Sequence, residues 1–133
     1  MAICDAAGFP IAVHTASASP HEITLVEATL AQTLTVGRPR RLIGDRAYDS
    51  DPLDQTLAKT GVELIAPHKS NRVRRKTQDG RPLRRYRSRW KIERLFAWLN
   101  GCKRIVNRWD RFSENFTAFV HLACVRILLR RYL

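Results

Sequence analysis

The first 66 residues alternate short apolar segments with turn-forming residues, a pattern that restricts the chain to a mixed α/β fold. Residues 2–4 and 9–15 flank residues 5–8 (Asp-Ala-Ala-Gly), a tetrapeptide typical of tight turns, and therefore predict a β-hairpin. Between residues 20 and 34, apolar side chains recur every three to four positions, which predicts an amphipathic helix.

A strand, a helix and a further strand follow. Residues 40–44 predict a short strand that leads into Asp45. Asp51 and Pro52 predict the start of a helix, with Asp51 as its N-cap and Pro52 at the first helical position. Residues 62–66 predict a buried strand, so the order β-β-α-β-α-β predicts a mixed sheet with helices.

The rest of the chain predicts a loop and two helices. Residues 69–82 are polar and basic and predict a loop. Helices are predicted over residues 83–100 and 114–131. Each has an apolar face that is expected to pack on a core, formed by Ser88, Ile92, Leu95, Phe96 and Leu99 in the first and by Phe116, Phe119, Val120, Ala123 and Ile127 in the second.

Charge is strongly segregated along the chain. The formal net charge is +12, yet residues 1–37 contain no Lys or Arg and carry a net charge of −3. Residues 69–111 hold 16 of the 24 basic residues and carry a net charge of +13. Such a local excess is typical of a surface that binds phosphate backbones. A solvated basic face that serves only solubility is the alternative.

Length and cysteine usage exclude several classes of protein. A chain of 133 residues is expected to form one domain. No apolar run is long enough to cross a bilayer, and no basic region leads into an apolar one near residue 1, so we expect neither a membrane-spanning nor a secreted protein. The three cysteines are scattered without zinc-site spacing, which favours reduced thiols in a cytosolic protein.

Two carboxylates are candidates for chemistry. Asp45 follows a predicted strand and a glycine, at the carboxyl end where α/β sheets place functional groups. Glu93 is the only acid in a basic helix and shares one side of it with Tyr86, Arg89 and Asn100. Together they would suit Mg²⁺ beside a phosphodiester. The plain alternatives are a turn or cap residue for Asp45 and a surface ion pair with Arg89 for Glu93.

Two motifs resemble those of a known enzyme family. Residues 42–50 (Leu-Ile-Gly-Asp-Arg-Ala-Tyr-Asp-Ser) resemble the block around the second catalytic Asp of DDE transposases from bacterial insertion sequences, families four and five. Tyr86, Arg89 and Glu93 resemble the first three terms of that group's Tyr-Arg-Glu-Lys signature, whose Glu is the third catalytic carboxylate. Residues 5–11 and 65–72 are also similar, so the resemblance extends over nearly the whole chain.

The resemblance implies a fold, an activity and a set of site residues. The implied fold is α/β and ribonuclease H-like, with a five-stranded mixed sheet flanked by helices, and residues 1–133 would form one catalytic domain. Asp45 and Glu93 would be catalytic and would bind Mg²⁺ in a two-metal site, for DNA strand cleavage and strand transfer during transposition. DNA, as transposon ends and target, would be the partner of a cytoplasmic, nucleoid-associated bacterial protein. The residues expected to bind DNA are Arg72, Arg74, Arg75, Lys76, Arg84, Arg85, Tyr86, Arg89, Lys103 and Arg104.

The chain departs from the family pattern in two places. The signature's Lys is replaced by Asn100, and Lys103 and Arg104 are expected to take over its phosphate contact. The family's first catalytic Asp lies on a first strand upstream of the hairpin, and this chain is expected to lack that strand. Asp5 matches the hairpin turn rather than the metal ligand.

These departures bear on activity. We expect the chain alone to be weakly active or inactive, and a polypeptide from an upstream frame, or a homo-oligomer, to complete it. The alternative function is a non-catalytic DNA-binding transposase remnant or regulator. A ribonuclease H-like nuclease of another kind would need a further acid within this chain.

Overall fold

A β-hairpin opens the fold of the computed structural model, which describes residues 1–77 and 83–130. Strand β1 (Ala2–Cys4) pairs antiparallel with β2 (Pro10–Val13). Asp5 forms the turn because its Oδ1 accepts hydrogen bonds from the N–H groups of Ala7 at 2.8 Å and Phe9 at 2.9 Å. Gly8 has φ +87°, a left-handed conformation that favours glycine. The predicted hairpin is confirmed.

The helix predicted over residues 20–34 is shorter in the structure. A 3-10 turn (Glu22–Leu25) leads into α1 (Val26–Ala31), which buries Val26 and Leu30. Leu34 lies beyond the helix end and is 68% exposed, contrary to the periodicity. Its N–H instead donates to the Ile11 carbonyl, so this segment follows the hairpin rather than the helix axis.

A parallel strand pair and its crossover helix come next. Strand β3 (Arg41–Ile43) pairs with β4 (Glu63–Ile65), and α2 (Asp51–Lys59) connects them. The N-cap of α2 is Ser50, whose Oγ accepts from Leu53 N–H at 3.5 Å, and not Asp51 as predicted. Asp51 is the first helical residue because its carboxylate is engaged elsewhere, by two arginines.

The four described strands form two separate two-stranded sheets, β1-β2 and β3-β4. The prediction of one mixed sheet is therefore wrong for residues 1–77 and 83–130, although the mixed α/β character is confirmed. No described strand lies between the two pairs, so hydrogen bonds do not join them. A cleft separates them instead.

Helices form the rest of the described chain. A 3-10 helix (Arg84–Arg89) leads into α3 (Trp90–Asn100), followed by the single turn α4 (Lys103–Val106) and the long α5 (Ser113–Leu129). Of the predicted basic loop, residues 69–77 contain no helix or strand, and residues 78–82 lie outside the described part. The same holds for residue 131, the predicted end of the last helix.

Two apolar clusters pack on opposite faces of the hairpin. One joins Ile3 and Ala12 to residues of α1, α2 and β4, and the other joins Val13 to α3 and α5. The predicted core faces are confirmed at Leu95, Leu99, Val120, Ala123 and Ile127. Phe96 is 45% exposed, contrary to prediction, because it lines the cleft between the sheets. No described helix has the length and apolar composition of a transmembrane segment.

Candidate active site and nucleic-acid surface

Asp45 lies directly after β3, at its carboxyl end, as the N-cap of a 3-10 turn (Arg46–Tyr48). Its Oδ1 accepts a hydrogen bond from Ala47 N–H at 2.8 Å. The described contacts engage only this oxygen, so Oδ2 has no hydrogen-bond partner within residues 1–77 and 83–130. Capping and ligand binding are therefore compatible at Asp45, because each needs a different oxygen.

The residue before Asp45 has to be small. A Cβ atom on Gly44 would lie 2.8 Å from Tyr48 Cδ2, closer than side-chain atoms approach. Tyr48 donates a hydrogen bond to Glu22 at 3.2 Å. Burial, followed by the negative charges of Glu22 and Asp45, raises the pKa of Tyr48 far above its ordinary value. Tyr48 thus stays neutral while it packs beneath the turn that carries Asp45.

Glu93 lies in the first turn of α3 and forms a polar row with two residues of the preceding 3-10 helix. Arg89 donates to Glu93 Oε1 from Nε at 3.1 Å and from Nη2 at 2.7 Å. Its Nη1 donates to the Tyr86 hydroxyl at 2.9 Å. The hydrogen bonds to Glu93 and then to Tyr86 raise the pKa of Arg89, which keeps it cationic. The predicted surface ion pair is therefore present, and it leaves Glu93 Oε2 without a partner in the described part of the chain.

Contacts with the hairpin fix the position of α3. Arg94 lies between the rings of Trp90 and Trp98, with its guanidinium carbon 4.8 Å from each ring centroid. It also donates to the Ala7 carbonyl in the hairpin turn, and Lys91 donates to Ala6. These contacts hold α3, which carries Glu93, against the hairpin turn.

The candidate residues meet in one cleft. Asp45, Arg89 and Glu93 all line a cleft of about 1060 Å³ that separates the two sheets. A neighbouring hollow of about 570 Å³ is lined by Asp45, Tyr86 and Arg89. Two residues predicted from different parts of the chain, Asp45 and Glu93, are thus brought to the same opening.

The carboxylates fit a hard cation only in part. Each has one oxygen engaged by the protein, and Mg²⁺ is commonly bound by one or two carboxylates with phosphate oxygens and water. Asp45 and Glu93 therefore each offer one oxygen of the type that Mg²⁺ prefers. Among the described residues no group of three or more His, Cys, Asp or Glu side chains could hold a metal ion. A two-metal site needs a further ligand.

The predicted DNA-binding residues differ in accessibility. The Arg72 side chain is only 10% exposed and donates to Asp49 at 2.8 Å and to Asp51 at 2.6 Å. Arg74 is 75% exposed and reaches Asp51 at 3.2 Å. The side chains that face solvent are those of Arg74, Arg75, Lys76, Arg84, Arg85, Lys103 and Arg104. Arg72 thus holds the chain in place, whereas these seven present charge.

Near Asn100, the basic residues are exposed. Lys103 faces solvent, and Arg104 stacks over the Phe119 ring at 4.7 Å and reaches Asp110 at 3.4 Å. Asn100 itself is exposed at the end of α3. Replacement of the signature's Lys therefore leaves cationic side chains within a few residues.

Sequence reasoning missed a buried polar network beside the site. Asp49 accepts hydrogen bonds from the Lys69 N–H at 2.7 Å, from His68 at 2.9 Å and from Arg72. Burial opposes the charge on Asp49, but the hydrogen bonds from Lys69 and His68 and the charge of Arg72 together hold the pKa of this carboxyl below its ordinary value. The available signal was the density of acids that begins in the 42–50 motif, because four acids occur within residues 45–54.

Comparison with known proteins assigns the chain to a family. Residues 1–128 match the transposase DDE domain family. A proposed transposase for insertion sequence element IS402 of Burkholderia cepacia is 31% identical over 133 residues, which cover 94% of this chain but 59% of that protein. A proposed transposase for insertion sequence element IS6501 of Brucella ovis is 32% identical over 131 residues, covering 97% of this chain and 95% of that protein.

No solved structure is significantly similar to the chain. The chain spans less than two thirds of the IS402 relative and nearly all of the IS6501 relative. Because the family matches along almost its whole length, and both relatives are of the insertion-sequence type, the chain is a member of the DDE-domain transposases of insertion sequences.

Proposed function

We propose that the chain is the C-terminal catalytic portion of an insertion-sequence transposase, which binds DNA and carries out strand cleavage and strand transfer once a further segment completes it. The observation that supports this function is that Asp45 and Glu93 line one cleft, each with one carboxylate oxygen unengaged in the described structure. Two further cations, Arg85 and Lys91, line the same cleft, and Arg85 is exposed. Carboxylates beside a cationic surface are suited to phosphodiester chemistry.

Each residue has a distinct part in this proposal. Asp45 Oδ2 and Glu93 Oε2 would hold Mg²⁺, which lowers the pKa of an attacking water and stabilises charge on the leaving 3′-oxygen. Arg89 orients Glu93 and offers positive charge to a phosphate near the cleft. Tyr86 orients Arg89 in turn through its hydroxyl. Three exposed cations that follow β4, Arg74, Arg75 and Lys76, contact the DNA backbone.

The further segment would be a strand that joins the two sheets into a ribonuclease H-like sheet. On the hairpin side, Ile3 pairs with Ala12 and Asp5 N–H donates to the Phe9 carbonyl. Since backbone groups alternate in direction along a strand, those of Cys4 point away from β2. Cys4 lines the cleft, so this open edge of β1 faces it.

An open edge faces the cleft from the other sheet as well. Gly44 N–H donates to the Ile65 carbonyl across the β3-β4 pair, so the backbone groups of Ile43 and Arg41 point away from β4. Both residues line the cleft. An extended segment between the sheets would thus find hydrogen-bond partners on both sides, which is the mode of strand addition to open sheet edges.

The remaining walls predict the composition of that segment. Ile92 and Phe96 of α3 line one side of the cleft, and Leu25 and Val26 line another. A strand covered on both faces is mostly apolar. We expect it to carry a carboxylate at the end near Asp45, because the two described acids leave a two-metal site one ligand short.

Reconstitution tests the proposed function. The chain is assayed for Mg²⁺- or Mn²⁺-dependent cleavage of transposon-end DNA, alone and with the polypeptide encoded immediately upstream. We expect cleavage only in the completed protein, and its loss in Asp45→Asn and Glu93→Gln, with DNA affinity unchanged or improved. Glu27→Gln, an exposed acid on α1 outside the cleft, is the matched control and should retain cleavage. Equal cleavage with and without the upstream polypeptide would contradict the missing ligand.

Hydrogen exchange tests the strand itself. Adding the upstream segment should slow exchange of the Cys4 and Ile43 amides, whose N–H groups would become bonded. Slow exchange that depends on the concentration of the chain alone would show instead that a second copy fills the cleft.

A non-catalytic DNA-binding protein is the second candidate. The two-acid site and the divided sheet among the described residues favour it. Salt-dependent DNA binding without cleavage under every reconstitution would establish this function and overturn the first.

A further inference from the structure

Asp49 is the centre of a polar network that the proposed chemistry does not use. Its side chain is 4% exposed and accepts three hydrogen bonds. The Lys69 N–H binds Oδ2 at 2.7 Å, while His68 Nδ1 at 2.9 Å and Arg72 Nη1 at 2.8 Å bind Oδ1. All three donors belong to the start of the basic segment, here defined as residues 68–77.

The same network folds the basic segment on itself. The Arg72 guanidinium also donates to the Arg75 carbonyl, from Nη2 at 3.1 Å, and to Asp51 at the start of α2. Thr77 N–H donates to His68 Nε2 at 3.2 Å. Residues at both ends of the segment are therefore connected to Asp49, because Thr77 bonds to His68 and His68 bonds to Asp49. The exposed side chains of Arg75 and Lys76 extend from this hydrogen-bonded loop.

Asp49 and Asp45 are the two ends of a single 3-10 turn. Asp45 is the N-cap of this turn and Asp49 its C-cap, with Asp49 N–H donating to the Arg46 carbonyl at 3.3 Å. Tyr48 N–H donates to the Asp45 carbonyl at 3.1 Å within the same turn. The acid that lines the cleft and the acid that holds the basic segment are thus connected by one hydrogen-bonded turn.

We propose that Asp49 is a positioning residue that sets the basic segment at a fixed distance from Asp45, so that DNA bound by the segment presents its phosphodiester at the cleft. The part that concerns DNA and the cleft rests on the proposed function. The connection between the turn and the segment stands on the described contacts alone. Asp49 touches neither DNA nor metal in this role.

Tryptic digestion tests the connection without DNA or metal. Asp49→Asn keeps the size of the side chain but removes the charge and one acceptor oxygen. We expect cleavage after Arg72 and Lys69 to accelerate by about tenfold or more, because opening of the segment no longer breaks these bonds. Cleavage after Arg111, an exposed residue in the loop between α4 and α5, should be unchanged.

A matched charge control is available next to the network. Asp54 lies on α2, close enough that its charge acts on Arg72, but it makes no described hydrogen bond to the basic segment. Asp54→Asn removes the same charge and should leave cleavage after Arg72 unchanged. Unchanged cleavage in Asp49→Asn, or an equal increase in both variants, would overturn the connection. If Asp49→Asn does not fold, Arg72→Gln removes the Arg72–Asp49 pair instead. Faster hydrogen exchange of the Lys69 amide in that variant would support the connection, and unchanged exchange would overturn it.

The positional role is tested in the completed, active transposase. Misplacement by about 1 Å costs on the order of 100-fold in rate, so Asp49→Asn should lower kcat by up to about 100-fold. The dissociation constant for DNA should stay within about threefold, because the exposed cations remain. Asp49→Glu, which keeps the charge, should recover part of kcat. An unchanged kcat despite a released segment would overturn the positioning role, whereas failure of all variants to cleave would count against the proposed function only.

Discussion

Arg89 donates two hydrogen bonds to the same oxygen of Glu93, from Nε at 3.1 Å and from Nη2 at 2.7 Å. The four-residue spacing on one helix brings the two side chains together without any contribution from distant parts of the chain. A fork that closes on one oxygen fixes the carboxylate orientation and leaves its second oxygen for a ligand. Glu93 can therefore form a surface ion pair through one oxygen and still act as a site residue through the other.

Arg89→Gln should separate stability from function. Both side chains of the pair are largely exposed, so loss of the pair should change the free energy of unfolding by less than about 0.5 kcal/mol in urea titrations. Cleavage by the completed protein should fall by about 10- to 100-fold, because Glu93 loses its orientation and the cleft loses a cation. Glu63→Gln removes the comparable exposed pair with Arg41 and should leave cleavage intact. Full activity of Arg89→Gln would refute the role of this pair.

The salt dependence of DNA binding should report which cations contact phosphate. Each lost phosphate contact reduces the slope of log affinity against log salt by about 0.9. The double variant Arg75→Gln/Lys76→Gln should therefore reduce the slope by about 1.8. The slope is measured by fluorescence anisotropy between about 50 and 200 mM salt.

Two variants serve as comparisons for that slope. Arg38→Gln/Arg40→Gln removes two exposed cations outside the basic segment and should leave the slope unchanged. Arg72→Gln should alter it less than one exposed cation does, because Arg72 is bound by Asp49 and Asp51. If Arg72→Gln reduced the slope by about 0.9, as expected for one phosphate contact, DNA would have to displace Asp49 and Asp51 from Arg72.

Local chemistry explains which parts of the fold were predictable. The hairpin turn depends on Asp5 and Gly8, three positions apart, and α2 depends on a cap and a proline within three residues, so both elements can be predicted from the sequence. Leu34 was predicted to lie in the first helix because the apolar periodicity continues past Ala31, where that helix ends. Phe96 fits the apolar stripe but faces an open cleft, a property that only the arrangement of both sheets reveals.

The candidate site was predictable to a different degree. Asp45 and Glu93 were selected by motif resemblance, since their spacing alone also fits a cap and an ion pair. Arg72 was assigned to DNA by its charge, yet its partners Asp49 and Asp51 lie 23 and 21 residues away. Contacts at that separation depend on how β4 and α2 pack, which charge counting does not describe.

Substitutions at the neighbours Leu95 and Phe96 should respond differently to completion of the sheet. Leu95 is fully buried, so Leu95→Ala should cost about 2–5 kcal/mol in the free energy of unfolding, with or without the added segment. Phe96→Ala should cost less than about 1 kcal/mol in the chain alone, because the ring is half exposed. With the upstream segment bound, the cost of Phe96→Ala should rise, as measured by urea titration. An equal cost in both states would indicate that the cleft stays open at Phe96.

Burial of Cys124 should slow chemical modification of its thiol. It should also make the free energy of unfolding decrease at high pH. Burial, and then the neighbouring Cys102, raises the pKa of the Cys124 thiol to about 11 from 9.0. Between these two values the unfolded chain has released this proton while the folded chain retains it, so unfolding is favoured as pH rises from 9.0 towards about 11. Iodoacetamide at pH 8 should therefore label Cys102 before Cys124, and urea titrations should show a decline in stability above pH 9.0. This decline should be smaller in Cys124→Ala, where the raised pKa values of Cys4 and Tyr48 still contribute to it. Cys102→Ala is the control and should retain most of the decline. Equal labelling of both cysteines in the folded chain would contradict the burial of Cys124, on α5, in the cluster that α5 forms with α3.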